Sequence, residues 1–428
     1  MKTIGVMTGN SLDGVDAVLT DFSGDKITDI ASVSLPFPVD LTRDLLAFRA
    51  FVKGKAVSEF ENSPLFADVL SRSTALVAEA VNAIKQPDVV AVGLHGQTCD
   101  HFPPSVANGE KPYTLQIFDA QKLADLTGIP VIYDFRSDDM MNGGEGAPLA
   151  PAHNAHIAAD MRAKGFDSVA FCNAGNTGNI AVIAGDTVLG WDVGAFNHFA
   201  DKLTREYKGV PCDTNGRFGK TGRLRPDFLQ TLFDSAAVTK SGENFYTRKP
   251  PKSSDPSWYV LPDSPYSFAD TLRTVEYLSA YTFFHTLSFI PESVPMPQAF
   301  LTFGGGWKNP LCVSDFKALL NGTGFVLPCH RALFEKIRKR FAKPPVFAPS
   351  EEYGYSGTYM EARIFADAAY SKIIGRPFTF PPTTGCESPT VAGIFCLPRK
   401  AGKYLISDYL KKPDAWNKKV SRAAKGLW

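Results

Sequence analysis

The 428-residue chain carries almost no net charge: 45 Lys and Arg against 44 Asp and Glu leave +1. No global field therefore draws it to nucleic acid or to a membrane surface. It has no Cys-x-x-Cys pair, and its seven cysteines are odd in number and scattered. That excludes a disulfide framework or a zinc ribbon as the organising device and leads to an expected cytoplasmic location. No apolar run is long enough for a bilayer span, and Met1 leads straight into a strand-like stretch, so no leader is expected. The Walker A pattern Gly-x4-Gly-Lys-Ser/Thr is absent, which excludes a P-loop enzyme. Histidines are few and dispersed. His153, His156 and Asp160 could share one helix face, but without a His-Glu-x-x-His pattern they read as a solvated face. The basic run Lys411, Lys412, Lys418, Lys419, Arg422 and Lys425 reads as a solvated tail.

What is present is an ordinary globular balance, 44% apolar and 21% charged, sufficient for a large core over two or three domains. Strand patterns fall at about 2–8, 14–22 and 27–35. A helical region is expected over about 57–86, where Phe60, Leu65, Val69, Leu76, Val77 and Val81 lie near helical spacing. Short strands follow at about 89–94, 113–117 and 131–133, with a helix from Asp119 between the last two. Strands alternating with helices indicate an α/β fold.

One unit occurs twice. "TIGVMTGNSLDGVDAVLTDFSGDKITDIASV" and "SVAFCNAGNTGNIAVIAGDTVLGW" each open with a short strand, pass a polar Gly-Asn loop and return as an apolar strand. Repetition about 165 residues apart is too long a period for a solenoid. It suits two like domains facing a shared cleft. The first loop holds Gly9, Asn10, Ser11, Asp13 and Gly14, more than a hairpin turn needs. The second holds Asn173, Gly175, Asn176 and Asn179. Backbone N–H groups in such turns converge on phosphate oxygens, and Asp13 is the carboxylate expected to hold Mg²⁺.

Eight segments in order resemble the anhydro-N-acetylmuramic acid kinases, a family of the sugar kinase/Hsp70/actin superfamily: "GVMTGNSLDGVDA", "HGQT", "TLQIFD", "DFRSDDMMNGGEGAPLAP", "NAGNTGNI", "WDVGAFN", "FGGGWKNP" and "MEARIFA". The resemblance spans nearly the whole chain. It implies an α/β fold of two ribonuclease H-like domains around a central cleft, one of residues 1–135 plus about 375–428, the other of 136–374. It implies a kinase that opens the 1,6-anhydro bridge of 1,6-anhydro-N-acetylmuramic acid with water while ATP, with Mg²⁺, phosphorylates O6. It places Asp192 at the family's general-base position, Arg136, Asp139 and Glu361 at the sugar, and Gly304, Gly305, Gly306 and Asn309 at adenine and ribose. Lys252 matches a family Pro-Lys-Ser segment without an assigned role. The partners implied are the sugar and ATP, with neither nucleic acid nor membrane; a homodimer is left open.

Some positions depart from the family pattern. Asn10 stands for Thr in the first loop, and Asn176, Thr177 and Gly178 replace Gly-Ile-Ala in the second. Ala195 and Phe196 replace the Pro-Gly after the base, and a bulky Phe196 ring is expected where the family keeps bare backbone. Glu145 replaces a Gln and is expected to bring a negative charge near the sugar. Two further readings therefore stand beside the first: a kinase of another anhydro or free sugar, and a non-catalytic nucleotide-dependent binding or regulatory protein.

Overall fold

A computed structural model describes residues 1–399 apart from 10, 11, 13, 24, 25, 108, 109, 240 and 255. Asn10, Ser11, Asp13 and the basic tail lie outside the described residues. The chain divides into two compact units, Met1–Asp160 with Tyr359–Trp428, and Met161–Thr358.

In the first unit, β1 (Lys2–Thr8), β2 (Gly14–Ser23) and β3 (Lys26–Pro36) form an antiparallel meander. β4 (Val89–Leu94) runs parallel to β1. A separate two-stranded ribbon pairs β5 (Gln97–Phe102) with β6 (Tyr113–Ile117). β7 (Val131–Tyr133) runs parallel to β4. In the second unit, β8 (Ser168–Ala174), β9 (Thr177–Ala184) and β10 (Thr187–Ala195) form the meander. β11 (Ala299–Phe303) and β12 (Val346–Pro349) extend it in parallel. β13 (Ile394–Cys396) returns to the first unit, antiparallel to β7.

The two sheets therefore read β13-β7-β4-β1-β2-β3 and β10-β9-β8-β11-β12. Each places its third, second, first, fourth and fifth strands side by side, the ribonuclease H-like order. The repeated hairpins lie in separate sheets at equivalent places, as the duplicated sequence pattern requires.

The helices of the first unit are α1 (Val39–Val52), α2 (Pro64–Ile84), α3 (Pro104–Ala107), α4 (Ala120–Thr127) and α5 (Phe135–Met141). α6 (Ala150–Ala163) runs across the division between the units. The second unit holds α7 (His198–Lys208), α8 (Pro226–Ser235), α9 (Phe268–His285), α10 (Pro310–Asn321) and α11 (Arg331–Lys339). α12 (Met360–Ile374) and α13 (Pro381–Thr384) belong to the first.

The helical region expected from residue 57 begins at Pro64. Ser63 caps α2 by accepting the Phe66 N–H at 3.2 Å, with proline at the first helical position. α1 and β5 are elements that the sequence reading did not foresee.

The central strand β4 is buried at every position because helices cover both its faces, as in parallel sheets generally. Val92 packs with α1 and α2 residues such as Leu45, Phe66 and Val69, while its neighbour Ala91 packs with Phe365, Ala368 and Ala369 of α12. α12 lies against the sheet at backbone distance. A Cβ on Gly5 would fall 1.9 Å from the Ala362 carbonyl oxygen, and one on Gly93 1.9 Å from that of Phe365. This packing corrects the expected boundaries. Residues 359–374 and 136–160, assigned by resemblance to the second domain, fall in the first unit. Gly93→Ala should destabilise the protein by about 2 kcal/mol or more, since overpacking here must displace backbone rather than a side chain; a thermal melt of the variant beside the parent reads it.

Candidate active site

In the second unit the site begins with strand register. Asn173 of β8 pairs with Asn179 of β9, which pairs with Asp192 of β10. Cross-strand partners project to the same face, so two amides and a carboxylate form one row, each half-buried. The segment 250–254 runs beside β10: the Asp192 N–H donates to the Lys252 carbonyl at 3.1 Å. The same segment turns Ser254 onto the side chain. Its N–H and its hydroxyl both donate to Asp192 Oδ2, at 2.9 and 3.1 Å. The Tyr259 hydroxyl donates to Ser254 Oγ at 2.6 Å and lies 3.3 Å from Thr177 Oγ1. Burial first, and then the charge of Asp192, pushes the Tyr259 hydroxyl pKa well above its ordinary value, so it stays a donor.

Lys252 has a place that its sequence did not announce. It is 1% exposed, its Nζ donates to the Phe245 carbonyl at 2.9 Å, and it faces the rings of Phe245 and Phe289. Burial lowers its pKa to about 7, against the opposing pull of Asp192.

The Gly-Asn turn closes on the start of α7. The Phe196 N–H donates to the Asn176 carbonyl and the Asn197 N–H to the Gly175 carbonyl, at 3.0 and 3.2 Å. The Phe196 ring is 2% exposed and packs on Phe283 and Trp307. The expected bulky ring at the loop is thus a core residue. The register of β10 against β9 shifts between Asp192 and Gly194, just before this residue.

Gly306 fits over that ring, where a Cβ would fall 2.3 Å from it. Gly305 is the open glycine of its run, exposed and with nothing nearer to an added Cβ than 4.0 Å. Asn309 acts as a cap: its Oδ1 accepts the Leu311 N–H of α10 at 3.0 Å and its amide donates to Glu276 Oε1 at 2.7 Å. Glu276 lies beside Asp213, whose carboxylate accepts the Phe218 and Gly219 N–H groups. Burial, reinforced by Asp213, raises the Glu276 pKa to about 8.

In the first unit, Gln97 Nε2 donates to the Gly9 carbonyl at 3.2 Å and Thr42 Oγ1 to the Leu12 carbonyl at 3.2 Å. Gly14 faces Leu35 of β3, whose carbonyl a Cβ would meet at 2.3 Å. Arg136 in α5 donates from Nε to His95 Nε2 at 3.0 Å and from Nη1 to the Gly146 carbonyl at 2.7 Å. Burial, and next the Arg136 charge, hold the His95 pKa well below its ordinary value, which suits a neutral acceptor.

Asp139 is fully buried and accepts the Gly146 N–H and the Thr384 hydroxyl, at 2.7 and 2.6 Å. It holds the loop that Arg136 also grips. Glu145 accepts the Ser105 N–H and hydroxyl at 3.0 and 2.5 Å, so its charge is engaged within the fold. Glu361 is exposed in the first turn of α12, where the helix dipole favours a carboxylate. His153 and His156 meet Asp367 rather than a shared solvent face, at 2.9 and 3.2 Å, with Arg376 on the same carboxylate. Among the described residues no group of three or more His, Cys, Asp or Glu could hold a metal ion.

The family model described as anhydro-N-acetylmuramic acid kinase matches residues 1–330. A protein named anhydro-N-acetylmuramic acid kinase from Nitrobacter winogradskyi is 30% identical over 411 residues, covering 93% of this chain and 100% of that one. Its namesake from Methylobacterium nodulans is 30% identical over 418 residues, again covering 93% and 100%. Among solved structures, a ROK hexokinase from Thermus thermophilus aligns over 86% of this chain and 97% of its own, with TM-score 0.34 and 13% identity.

The Glu276 carboxyl keeps its proton to about pH 8 in the fold and loses it near 4.5 when unfolded. Between those values the folded state binds more protons, so this group's contribution to stability is full below about 4.5 and falls as pH rises through 8. Glu276→Gln keeps the acceptor for Asn309 without the titration. Its melting temperature should therefore gain on the parent's steadily from pH 5 to pH 8; a pH-independent difference would contradict the assignment.

Proposed function

Since this chain belongs to the anhydro-N-acetylmuramic acid kinase family, we propose that it opens the 1,6-anhydro bridge of 1,6-anhydro-N-acetylmuramic acid with water and phosphorylates O6. It is an ATP-dependent sugar kinase. The carrying observation is the fixed Asp192 carboxylate, with Ser254 donating twice to one of its oxygens. A general base works when it is held within reach of the proton it removes. In the proposed step the water oxygen bonds to C1 as the C1–O6 bond breaks, and the water proton passes to Asp192. The O6 electron pair bonds to the γ-phosphorus, and the β–γ bridging oxygen leaves with ADP. The attack resembles that in inverting glycosidases, where a carboxylate activates water on the face opposite the leaving oxygen.

The turns at Gly9–Ser11 and Asn173–Asn179 are the proposed phosphate loops. Gly305 offers exposed backbone for the nucleoside, with Gly304 and Gly306 shaping the turn and Asn309 acting through its cap. Arg136 and Glu361 are the proposed sugar contacts, and Asp139 acts through the loop it holds. Magnesium would arrive on the triphosphate and neutralise its charge. Asp13 is the carboxylate proposed to meet it, and no step is assigned through the metal. A role in recycling cell-wall sugars and a cytoplasmic location follow from the same reading, and seven free cysteines suit a reducing compartment. The substitutions at Phe196 and Glu145, which favoured another sugar, are accounted for by packing and by Ser105.

Asp192→Asn keeps the shape and removes the basicity. Turnover on the anhydro sugar should fall by about 10²–10⁴, with nucleotide affinity within a few-fold by calorimetry. Near-normal turnover moves the base elsewhere, and joint loss of turnover and nucleotide binding moves Asp192 to the metal.

A further inference from the structure

The proposed reaction gives no task to the lysine of the Pro-Lys-Ser segment. Lys252 is 1% exposed, and a charge withdrawn from water costs far more than an apolar side chain of the same length. The fold houses the charge nonetheless. Nζ donates to the Phe245 carbonyl at 2.9 Å and stands 4.5 and 4.8 Å from the ring centroids of Phe245 and Phe289. Ring faces attract a cation, most strongly where water is absent. The side chain is thus held at its tip, where a methionine would be held by packing alone.

The backbone of the same residue reaches the proposed base. Its carbonyl accepts the Asp192 N–H at 3.1 Å, and two residues on, Ser254 gives its N–H and its hydroxyl to Asp192 Oδ2. The anchor and both grips lie within 252–254, and each residue there has only two soft backbone dihedrals. A displaced Lys252 therefore displaces Ser254.

The ionisable groups around the ammonium come from several elements. Asp192 on β10 exerts the largest pull. Glu243 and Arg248 flank Phe245, pair with each other at 3.8 Å and act in opposite directions. Tyr246, next to Phe245, keeps its proton because burial raises its pKa. His285 ends α9 and is neutral, since burial first, and then His330 and Lys252, lower its pKa to about 3. The turn Thr286–Phe289 carries no ionisable side chain. We propose that Lys252 is a positioning residue for Asp192: its buried ammonium, seated on two rings and the Phe245 carbonyl, keeps Ser254 where it fixes the carboxylate, and its charge favours the ionised form of that carboxylate. This rests on the reading of Asp192 as the base and adds the residue that keeps it aligned and ionised. At 1% exposure Lys252 acts through Asp192 and not on substrate. Burial, against the pull of Asp192, draws its pKa to about 7, so the cation is present below that value and lost as pH rises through it.

The test measures kcat and KM for 1,6-anhydro-N-acetylmuramic acid and ATP across about pH 5 to 9, for the parent, Lys252→Met and Lys252→Arg. The methionine variant should lose about tenfold or more in kcat, since small misplacements of a reacting group are costly, with both KM values held. Its acidic limb, which reports ionisation of the base, should move to higher pH. Lys252→Arg keeps a cation that does not titrate in this range. It should recover most of the loss and lack the parent's fall in kcat above about pH 7. A parent-like kcat and acidic limb in Lys252→Met overturn the proposal. So does a loss that arginine does not recover, or one that falls on KM as well, the mark of a merely structural role. If the methionine variant does not fold, Lys252→Arg decides: disappearance of the alkaline limb supports the proposal, and a parent-like profile overturns it. If the parent turns over no anhydro sugar, the kinase reading fails, and NMR titration of Lys252 Cε in the parent and in Asp192→Asn decides the coupling. A lower lysine pKa in that variant supports it, and an unchanged one overturns it.

Discussion

Ser254 gives two hydrogen bonds to one oxygen of Asp192, and the face of the second unit is organised around that contact. The carboxylate is set at its height by strand register, level with Asn179 and Asn173. Its rotamer is set by a segment remote in sequence, which reaches β10 through the Asp192 N–H. Tyr259 fixes Ser254 in turn and touches Thr177, beside the Gly-Asn turn. The carboxylate and the proposed phosphate loop are thereby joined through one run of hydrogen bonds.

Several buried ionisable groups are pushed toward neutrality, each within its own unit. Lys252 is drawn down to about 7 and Glu276 up to about 8, each chiefly by burial. His95 stays a neutral acceptor for Arg136. Removing charge from water is expensive, and a group that can titrate does so instead. Asp192 and Arg136 are each half-buried in their own unit.

The repeated hairpins were legible in the sequence because period-two alternation and the two Gly-Asn turns are local signals. So were the strand order's beginnings and the place of Asp192 at the second hairpin. Other features depend on distant partners. The burial of the Phe196 ring depends on Phe283 and Trp307, far away in the chain. The domain boundary follows from α12 meeting Gly5 and Gly93, more than 250 residues away in the chain. Asn309 carries a readable signal for its cap, an asparagine directly before a proline that opens a helix. Lys252 was visible as a motif, but its significance came only from burial beside Asp192.

Running the reaction with ATP in ¹⁸O-labelled water separates bridge opening by water from every other use of the nucleotide. Water attacking C1 puts one ¹⁸O on C1 of the sugar 6-phosphate and leaves the transferred phosphoryl group unlabelled, as mass spectrometry of the fresh product would read. Label in inorganic phosphate beside an intact anhydro sugar, or a phosphorylated sugar without label, would contradict hydrolytic phosphoryl transfer.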